Sequence, residues 1–278
     1  MSYLNAVKRH AVKGRIHELY GNMGATIAVC RRAYATPESV RNALNAMRVA
    51  YRCCRALRQA YPRAGDALQA AYLETVEAAK MRRENNVLEP KLKERMFDFA
   101  DVLDAARAAE GDTIHDSMDR IILLFVALQY PKRSDLGACA IVAGDGVGKG
   151  NYVVVPKKGA CVLVMNDYKT SKKYGEYREE LDAELGREIR ASLDRFPREY
   201  LLVQARDTTR PLTRDGYSKR VASTFMKHLG VPVRPGDIRH LYIFNKARES
   251  TYGERVEMAS GMLHSFTMQA KYDRVDRP

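Results

Sequence analysis

The sequence predicts a mainly α-helical protein that contains one small antiparallel β-sheet. Apolar side chains recur at helical spacing through most of the 278 residues, which is the pattern of amphipathic helices. Residues 139–174 depart from this pattern. There, three Val- and Ile-rich runs, ACAIVA, NYVVV and ACVLVMNDY, are separated by the glycine-containing runs GDGVGKG and PKKG. The helical pattern returns after residue 177 and continues nearly to the end.

The distribution of charge divides the chain into two parts. Residues 1–86 hold 15 basic and 6 acidic residues, a net charge of +9, whereas residues 87–278 hold 32 and 28, a net charge of +4. The polar run RRENN at 82–86 interrupts the apolar pattern and is the predicted linker. We therefore expect a helical, basic N-terminal domain over residues 1–86 and a second domain, mainly helical with the sheet, over residues 87–278.

A helix start signal stands at Thr36, Pro37 and Glu38. Threonine is a preferred N-cap, proline suits the first helical position, and an acidic residue is favourable in the first turn. The helix predicted from this start runs to about residue 59, and a second helix covers residues 66–83. The apolar side of the first helix consists of Leu44, Met47, Tyr51 and Cys54.

Another side of the same helix carries an arginine row, within an arc of about 60° at 100° per residue. Its members are Arg41, Arg48, Arg52 and Arg55. Such a row of guanidinium groups suits the phosphate oxygens of a DNA backbone. A solvated face is the alternative, although solvated faces usually mix charges of both signs. We therefore predict that the arginine row binds DNA.

In the second domain, helical spacing predicts helices over residues 90–109 and 113–129, and Pro131 ends the second of them. The run GDGVGKG at 144–150 is not a phosphate-binding loop, because Ala143 and Gly150 occupy the positions that need Gly and Ser or Thr. It is not a dinucleotide-binding fingerprint either, since a strand and not a helix follows. We expect a glycine-rich hairpin turn.

Several classes of protein are excluded by simple features of the chain. The longest apolar run, IILLFVAL at 121–128, has eight residues, whereas a membrane-spanning helix needs roughly twenty. No apolar stretch follows the basic N-terminus, so a secretory signal is not expected. The five cysteines show neither CxxC nor a Cys/His ligand spacing. We expect an intracellular protein with no membrane partner, no metal and no cofactor.

The net charge of +13 points to a polyanionic partner, and nucleic acid is the commonest one. A cationic surface that serves only solubility is the alternative.

A set of basic and phenolic residues stands near the ends of the elements of the second domain. Its members are Arg133, Lys169, Arg239, His240, His264 and Tyr272. Each one alone proves little, because the chain has 16 tyrosines and 47 Lys and Arg residues. Their order and spacing give them meaning together.

In the order Arg, Lys, Arg, His, Tyr, these residues resemble the tyrosine recombinase/integrase family. The run RSDL at 133–136 is similar to the family's first arginine box, and IRH at 238–240 to its second. Arg239 precedes His264 by 25 residues and His264 precedes Tyr272 by 8, which is close to the family's separations. The string NDYKTSKKYGEY at 166–177 is similar to the lysine hairpin of integrase-like proteins of large DNA viruses.

The resemblance covers residues 90–276 and implies a tyrosine recombinase catalytic domain. By position and charge, residues 1–86 would correspond to the family's core-binding domain. The implied reaction is attack of the Tyr272 hydroxyl on a DNA phosphodiester, which forms a 3′-phosphotyrosyl link and releases a 5′-hydroxyl without metal or cofactor. Arg133 and Arg239 would clamp the phosphate oxygens, and His264 would bond the same phosphate. Lys169 would protonate the leaving oxygen.

Two features leave alternatives open. The family's usual second box is HxxR, and Gly236 stands here at the first position, so the usual acceptor for the proton of Tyr272 is missing; His240, His264 or water could replace it. Lys169 also has the basic neighbours Lys172 and Lys173, and Lys169 is preferred because it aligns with the family motif.

The resemblance implies a site-specific recombinase or integrase that binds double-stranded DNA and acts as a homotetramer on two duplexes. One alternative is a type IB topoisomerase-like enzyme that nicks and reseals a single duplex as a monomer. Another is a structural DNA-binding protein of the same fold with little catalysis, which the glycine at 236 favours.

Overall fold

The structure is a computed structural model, and it describes residues 18–84, 90–144, 146–247 and 250–266. Within these ranges the chain is mainly helical, with one four-stranded sheet and one two-stranded sheet. This confirms a mainly helical fold with a small sheet. The chain divides into two compact units, Met1–Val87 and Leu88–Pro278, and each has a hydrophobic core of its own.

The helices of the first unit are α1 (Glu18–Gly21), α2 (Met23–Ala33), α3 (Pro37–Cys53), α4 (Arg55–Ala60) and α5 (Ala64–Glu84). Helix α3 begins as predicted, since Oγ1 of the N-cap Thr36 accepts the Ser39 N–H at 3.2 Å. It packs against α5, and Leu44, Met47 and Leu68 are fully buried there. Leu44, Met47 and Tyr51 of the predicted apolar side are therefore on the buried face of α3, whereas Cys54 lies beyond the helix and is half-buried.

The predicted continuation of α3 to about residue 59 is wrong, because the helix stops before Cys54. Cys54 is extended, with φ −105° and ψ 107°, and α4 begins at the next residue. The hydroxyl of Tyr51 donates to the carbonyl of Tyr61 at 3.0 Å, which ties the chain after α4 to the last turns of α3. This tertiary contact, between residues ten positions apart in the chain, overrides local helical propensity. Arg55 therefore does not continue the helical spacing of the arginine row.

The predicted linker at 82–86 is also partly wrong. Helix α5 spans Ala64–Glu84 and so includes residues 82–84. The run RRE contains no glycine or proline, so it is compatible with a helix. Residues 85 and 86 lie outside the described residues.

The helices of the second unit are α6 (Pro90–Lys93), α7 (Phe99–Ala108), α8 (Ile114–Leu128), α9 (Ser171–Tyr174), α10 (Ala183–Arg195), α11 (Arg214–Leu229), α12 (Pro235–Ala247) and α13 (Tyr252–Gly261). Helix α8 is central, because residues 121–126 are all buried and it packs against α7, α10 and α11. Its start agrees with the helix predicted from residue 113, and Thr113 and Asp116 form a capping box there. Because α8 is held in the core, its end at Leu128 positions the segment 129–133, which contains Arg133.

The single helix predicted over residues 90–109 is wrong, since α6 ends at Lys93 and α7 starts at Phe99. Asp98 caps α7, and its Oδ1 accepts the Ala100 N–H at 3.0 Å. The break places the ring of Phe97 5.2 Å from the ring of Phe225. Packing of this aromatic residue explains why the chain turns there.

The four-stranded sheet contains β1 (Ala140–Ala143), β2 (Tyr152–Val155), β3 (Val162–Met165) and β4 (Tyr177–Glu180), in that spatial order. The β2–β3 and β3–β4 pairs are antiparallel, as predicted. The β1–β2 pair is parallel, with Ala140 opposite Tyr152. The prediction of an antiparallel sheet is therefore wrong for this one pair.

The glycine-rich run at 144–150 is consequently not a hairpin turn. A parallel pair requires the chain to return to the starting end of the first strand. At Gly148 a Cβ would lie 2.7 Å from the ring of Tyr152 and 2.9 Å from Val142 Cγ2. Glycine at this position lets the returning chain lie directly on the sheet.

The prediction of helix after residue 177 misses three strands. These are β4 and the two-stranded sheet formed by β5 (Val203–Gln204) and β6 (Asp207–Pro211). Strand β4 has the polar sequence YREE, which carries no strand signal of its own, and it is extended because it pairs with β3 from Met165 to Val162.

Candidate active site

Arg133 lies in the segment that follows α8, directly before a 3-10 turn at Ser134–Ala138. Its backbone is extended, with φ −79° and ψ −176°, so it serves as the N-cap residue of that turn. The side chain is half-buried. The turn therefore holds this arginine at the junction between the central helix and the sheet.

Arg239 lies in α12 and is only 4% exposed. Its Nη1 donates to the Pro131 carbonyl at 2.9 Å and to the Met262 carbonyl at 2.7 Å. One guanidinium thus joins the segment that leads into Arg133 to the segment that leads into His264. A planar guanidinium with several fixed N–H groups is suited to such a junction.

His264 follows the end of α13 in a Schellman motif. Its N–H donates to the Ala259 carbonyl at 3.1 Å, and the Leu263 N–H donates to the Ser260 carbonyl at 2.9 Å. Leu263 has φ +57°, a left-handed conformation that costs a non-glycine residue roughly 1–2 kcal/mol. Strain at this position sets the direction in which His264 leaves the helix.

The imidazole of His264 is neutral at physiological pH. Its side chain is buried, and this burial lowers the pKa of His264 to about 3, with the charges of Arg239 and Arg133 adding to the shift. Arg239, which donates Nη1 to the carbonyls of Pro131 and Met262, joins the segments that bear Arg133 and His264. Arg133, Arg239 and His264 form what we call the site cluster.

Three consecutive carbonyls before His264 are each held by a side chain from another part of the unit. Lys132 Nζ donates to the Gly261 carbonyl at 2.6 Å, Arg239 Nη1 to that of Met262, and Thr170 Oγ1 to that of Leu263 at 3.0 Å. Carbonyls at the end of a helix lack helical partners, and cationic groups satisfy them well. The turn that bears His264 is thereby fixed to α12, to the end of α8 and to the loop that bears Lys169.

Lys132 is a functional candidate that sequence patterns did not reveal. Its side chain is 1% exposed, and Nζ lies 2.6 Å from Glu179 Oε2 and 3.3 Å from the Tyr177 hydroxyl. Burial lowers the pKa of Lys132, and the Glu179 carboxylate opposes that shift. Its position beside Arg133 was the one available signal, but the burial that gives it a role depends on β4, which the sequence did not predict.

Lys169 is exposed and lies in the loop between β3 and α9. Since β3 and β4 pair antiparallel, this loop belongs to a hairpin. The hydrogen bond from the next residue, Thr170, to Leu263 brings the loop to the turn of His264. Lys172 and Lys173 are exposed as well, so exposure does not distinguish the three lysines.

Beside His264 there is a cavity of about 510 Å³. Its aromatic wall consists of Tyr168, Tyr174, Tyr177 and Phe266. His264 is the member of the site cluster that lines this cavity.

Three other predicted positions have different outcomes. Tyr272 lies outside the described residues. His240 is half-buried and follows Arg239 in α12, so the two side chains leave the helix about 100° apart. Gly236 is exposed, and a Cβ added there would meet nothing within 4 Å.

In the first unit, the members of the arginine row differ in their surroundings. Arg48 is half-buried, and its Cζ lies 4.0 Å from the ring centroid of Tyr72. Arg41 is half-buried too, and its Nη2 donates to Asn42 Oδ1 at 3.4 Å. Arg52 and Arg55 are exposed. Binding of DNA by this row stays a prediction.

No helix in the described part of the chain is long and apolar enough to cross a membrane. Over the same residues, no three His, Cys, Asp or Glu side chains are grouped so that they could hold a metal ion.

The fold and the site cluster define a mainly helical protein of two units, whose second unit brings two arginines and a neutral histidine together beside a lysine-bearing hairpin. No protein-family model matches the sequence, and no curated protein matches it. Among solved structures, the chain is similar to the crystal structure of XerA recombinase, with 12% sequence identity, 99% of this chain and 94% of that chain covered, and a TM-score of 0.43. The function proposed for this chain therefore rests on its own residues and their geometry.

Proposed function

We propose that this protein is a DNA strand transferase of the tyrosine recombinase type, which breaks and rejoins DNA through a covalent phosphotyrosyl link. The observation that carries the proposal is that Arg239 joins the segments that bear Arg133 and His264, by donating Nη1 to the carbonyls of Pro131 and Met262. The loop of Lys169 is bonded to the same turn as His264. Two cations and a neutral donor around one point are suited to a phosphodiester in its transition state.

In the proposed reaction, the Tyr272 oxygen attacks the phosphorus and a new P–O bond forms on the 3′ side of the break. The bond from phosphorus to the 5′-oxygen breaks at the same centre. The ammonium of Lys169 gives its proton to that leaving oxygen, and the proton of Tyr272 passes to a base or to water. Bond energy is kept in the phosphotyrosyl ester, so the reverse attack by a 5′-hydroxyl reseals the strand.

The site cluster suits different tasks within this reaction. Arg133 is half-buried and can direct its guanidinium toward a phosphate. Arg239 donates Nη1 to two backbone carbonyls and supplies a fixed, buried positive charge at the site. A neutral His264 donates from one ring nitrogen only, and so binds the phosphate as a hydrogen-bond donor without adding charge.

The proposed substrate is double-stranded DNA, which fits the net charge of +13 and the arginine row. Site-specific exchange between two duplexes requires four active subunits, so we propose a homotetramer on DNA. This corresponds to the role of the virus-encoded integrases that the lysine hairpin resembles.

A suicide substrate tests the proposal. A duplex nicked just beyond the cleavage site loses a short fragment after cleavage, so the protein stays trapped on the DNA. We expect an adduct that mass spectrometry maps to Tyr272, and no adduct from Tyr272→Phe at nearly unchanged DNA affinity. An adduct that persists in Tyr272→Phe would assign the nucleophile elsewhere, and DNA binding by the unaltered protein without any adduct would refute the enzymatic function.

A second candidate is a structural DNA-binding protein of this fold. The observation that favours it is Gly236, which offers no proton acceptor. The same assay decides between the two, since this candidate predicts DNA binding without adduct. Relaxation of supercoiled plasmid by the monomer would instead indicate a type IB topoisomerase-like activity.

A further inference from the structure

Asn151, the residue before β2, is buried, and its side-chain amide makes four hydrogen bonds. Its Nδ2 donates to the carbonyls of Asp135 at 3.1 Å and Asp167 at 2.8 Å. Its Oδ1 accepts the N–H groups of Asn166 at 2.9 Å and Asp167 at 2.8 Å. An asparagine side chain has two donor hydrogens and two acceptor lone pairs. All four positions are therefore filled by the backbone of two distant segments.

These two segments are the ones that bear Arg133 and Lys169. Asp135 lies in the 3-10 turn two residues after Arg133, and Asp167 lies two residues before Lys169. Asn151 itself belongs to neither segment. Its amide thus joins the turn of the proposed phosphate clamp to the loop of the proposed general acid.

A second link between the same segments is weaker. Arg214 Nε lies 3.0 Å from Asp135 Oδ1 and its Nη2 lies 3.7 Å from Asp167 Oδ1, but the arginine side chain is 62% exposed. Solvent screens such an ion pair, and exposed pairs contribute little. The buried amide of Asn151, with four short hydrogen bonds, is the stronger constraint.

The loop is held at its other end as well. Thr170 Oγ1 donates to the Leu263 carbonyl at 3.0 Å, next to His264. Lys169 therefore lies between an anchor on the Arg133 side and an anchor on the His264 side. Its backbone position is set by these two attachments, while its side chain reaches solvent.

We propose that Asn151 is a positioning residue for Lys169: it holds the lysine loop in fixed relation to Arg133, so that the ammonium reaches the leaving oxygen of the phosphate that Arg133 binds. This inference rests on the proposed function. A general acid must lie within hydrogen-bonding distance of its target, and a displacement of about 1 Å can cost roughly a hundredfold in rate.

The test compares Asn151→Ala and Asn151→Asp with Lys169→Ala on two nicked substrates. One has the natural 5′-oxygen at the scissile bond, and the other has sulfur there, which leaves as a thiolate and needs no proton. We expect both Asn151 variants to slow cleavage of the oxygen substrate by roughly 10- to 100-fold and cleavage of the sulfur substrate by less than about 3-fold. Lys169→Ala should likewise slow cleavage of the oxygen substrate much more than cleavage of the sulfur substrate.

Ser117→Ala is the matched control. Ser117 Oγ donates to Ser192 Oγ at 2.6 Å, and both side chains are buried between α8 and α10. Its loss removes a buried hydrogen bond without touching the lysine loop. For this control, we expect the cleavage rate, divided by that of the unaltered protein, to be the same on both substrates. Equal slowing of both substrates by Asn151→Ala would overturn the proposal and leave Asn151 a structural role only.

Hydrogen exchange separates failure of this inference from failure of the proposed function. In Asn151→Ala the amides of residues 166 and 167 should exchange faster than in Ser117→Ala, whether or not the protein cleaves DNA. Unchanged exchange would overturn the positioning role. A different result would be that Asn151→Ala exchanges faster but Lys169→Ala cleaves the sulfur substrate as slowly as the oxygen substrate. That result would reject Lys169 as the general acid, and with it the role assigned to Asn151.

Discussion

The arginine row of the first unit and the site cluster of the second unit both concentrate positive charge, but they hold it differently. Arg52 and Arg55 of the row are exposed, and a long exposed side chain samples many conformations in a solvent that screens its charge. In the site cluster, Arg239 is buried and hydrogen-bonded to two carbonyls, and His264 is buried within reach of its field. The row is suited to attracting a polyanion, whereas the cluster is suited to holding one phosphate in a single geometry.

The largest effect should come from the buried arginine. Arg239→Ala leaves the carbonyls of Pro131 and Met262 without this donor, so we expect a loss of roughly 2–4 kcal/mol in the free energy of unfolding. Cleavage should fall by roughly 10²–10³-fold, as for loss of one transition-state donor. Urea denaturation and adduct kinetics measure the two quantities.

Arg133→Ala provides the comparison. Because Arg133 is half-buried, we expect a similar loss of cleavage rate with a stability loss below about 1 kcal/mol. A loss of rate below about tenfold would remove Arg133 from the clamp. If Arg239→Ala lost stability but kept its rate, that residue would be a structural support of the His264 turn only.

The next effect concerns the pH dependence of stability. The pKa of His264 is lowered to about 3 in the folded protein, whereas an unfolded histidine titrates near 6.5. As the pH falls below about 6.5, the unfolded chain gains a proton that the folded protein does not, so stability falls. This residue contributes up to about 1.4 kcal/mol per pH unit between those values.

Urea denaturation at pH 7, 6 and 5 measures this contribution when the unaltered protein is compared with His264→Gln. We expect a shallower decline in the variant. If the free energy of unfolding declined equally with pH in the two proteins, His264 would be protonated as easily in the folded state as in the unfolded chain.

A smaller effect is expected from the arginine row. Arg52→Gln should weaken DNA binding severalfold and reduce the slope of log K against log salt by about 1, since one phosphate contact is lost. Arg63→Gln, an exposed arginine of the same unit outside the row, is the charge-matched control. Equal effects of the two substitutions would mean that only the overall charge matters.

The smallest effect on stability is expected at Gly236. Since an added Cβ meets nothing within 4 Å, Gly236→His should change the free energy of unfolding by less than about 0.5 kcal/mol. It should also raise the rate of adduct formation if proton removal from Tyr272 is slow, whereas Gly236→Ala should not. An unchanged rate in the histidine variant would assign proton removal to another group or to water.

Helix caps and Val- and Ile-rich runs correctly predicted the helix starts and strands in which they lie. Thr36 caps its helix as predicted, the helix predicted from residue 113 begins there, and β1, β2 and β3 fall within the three Val- and Ile-rich runs. Capping and periodicity depend on residues within about one helical turn or one strand, so they can be recognised without knowledge of the fold.

Contacts between distant residues explain the features that sequence patterns missed. The break at Cys54 depends on a bond from Tyr51 to Tyr61, and β4 is a strand because β3 lies beside it. Lys132 and Asn151 acquire roles because their partners lie on other elements, Gly261 for the first and Asp135 and Asp167 for the second. The sequence around a lysine or an asparagine contains no signal that predicts such burial.

By itself, the sequence determined the mainly helical class, the basic character of the chain, and an order of arginine, lysine, histidine and tyrosine residues that resembles the tyrosine recombinase family. Tertiary structure alone decided that Arg239 joins the segments that bear Arg133 and His264, that burial lowers the pKa of His264, and that three side chains hold the turn beside it. The physical reason is that residue type and spacing specify which groups are available, whereas burial and long-range hydrogen bonds set their positions and their protonation.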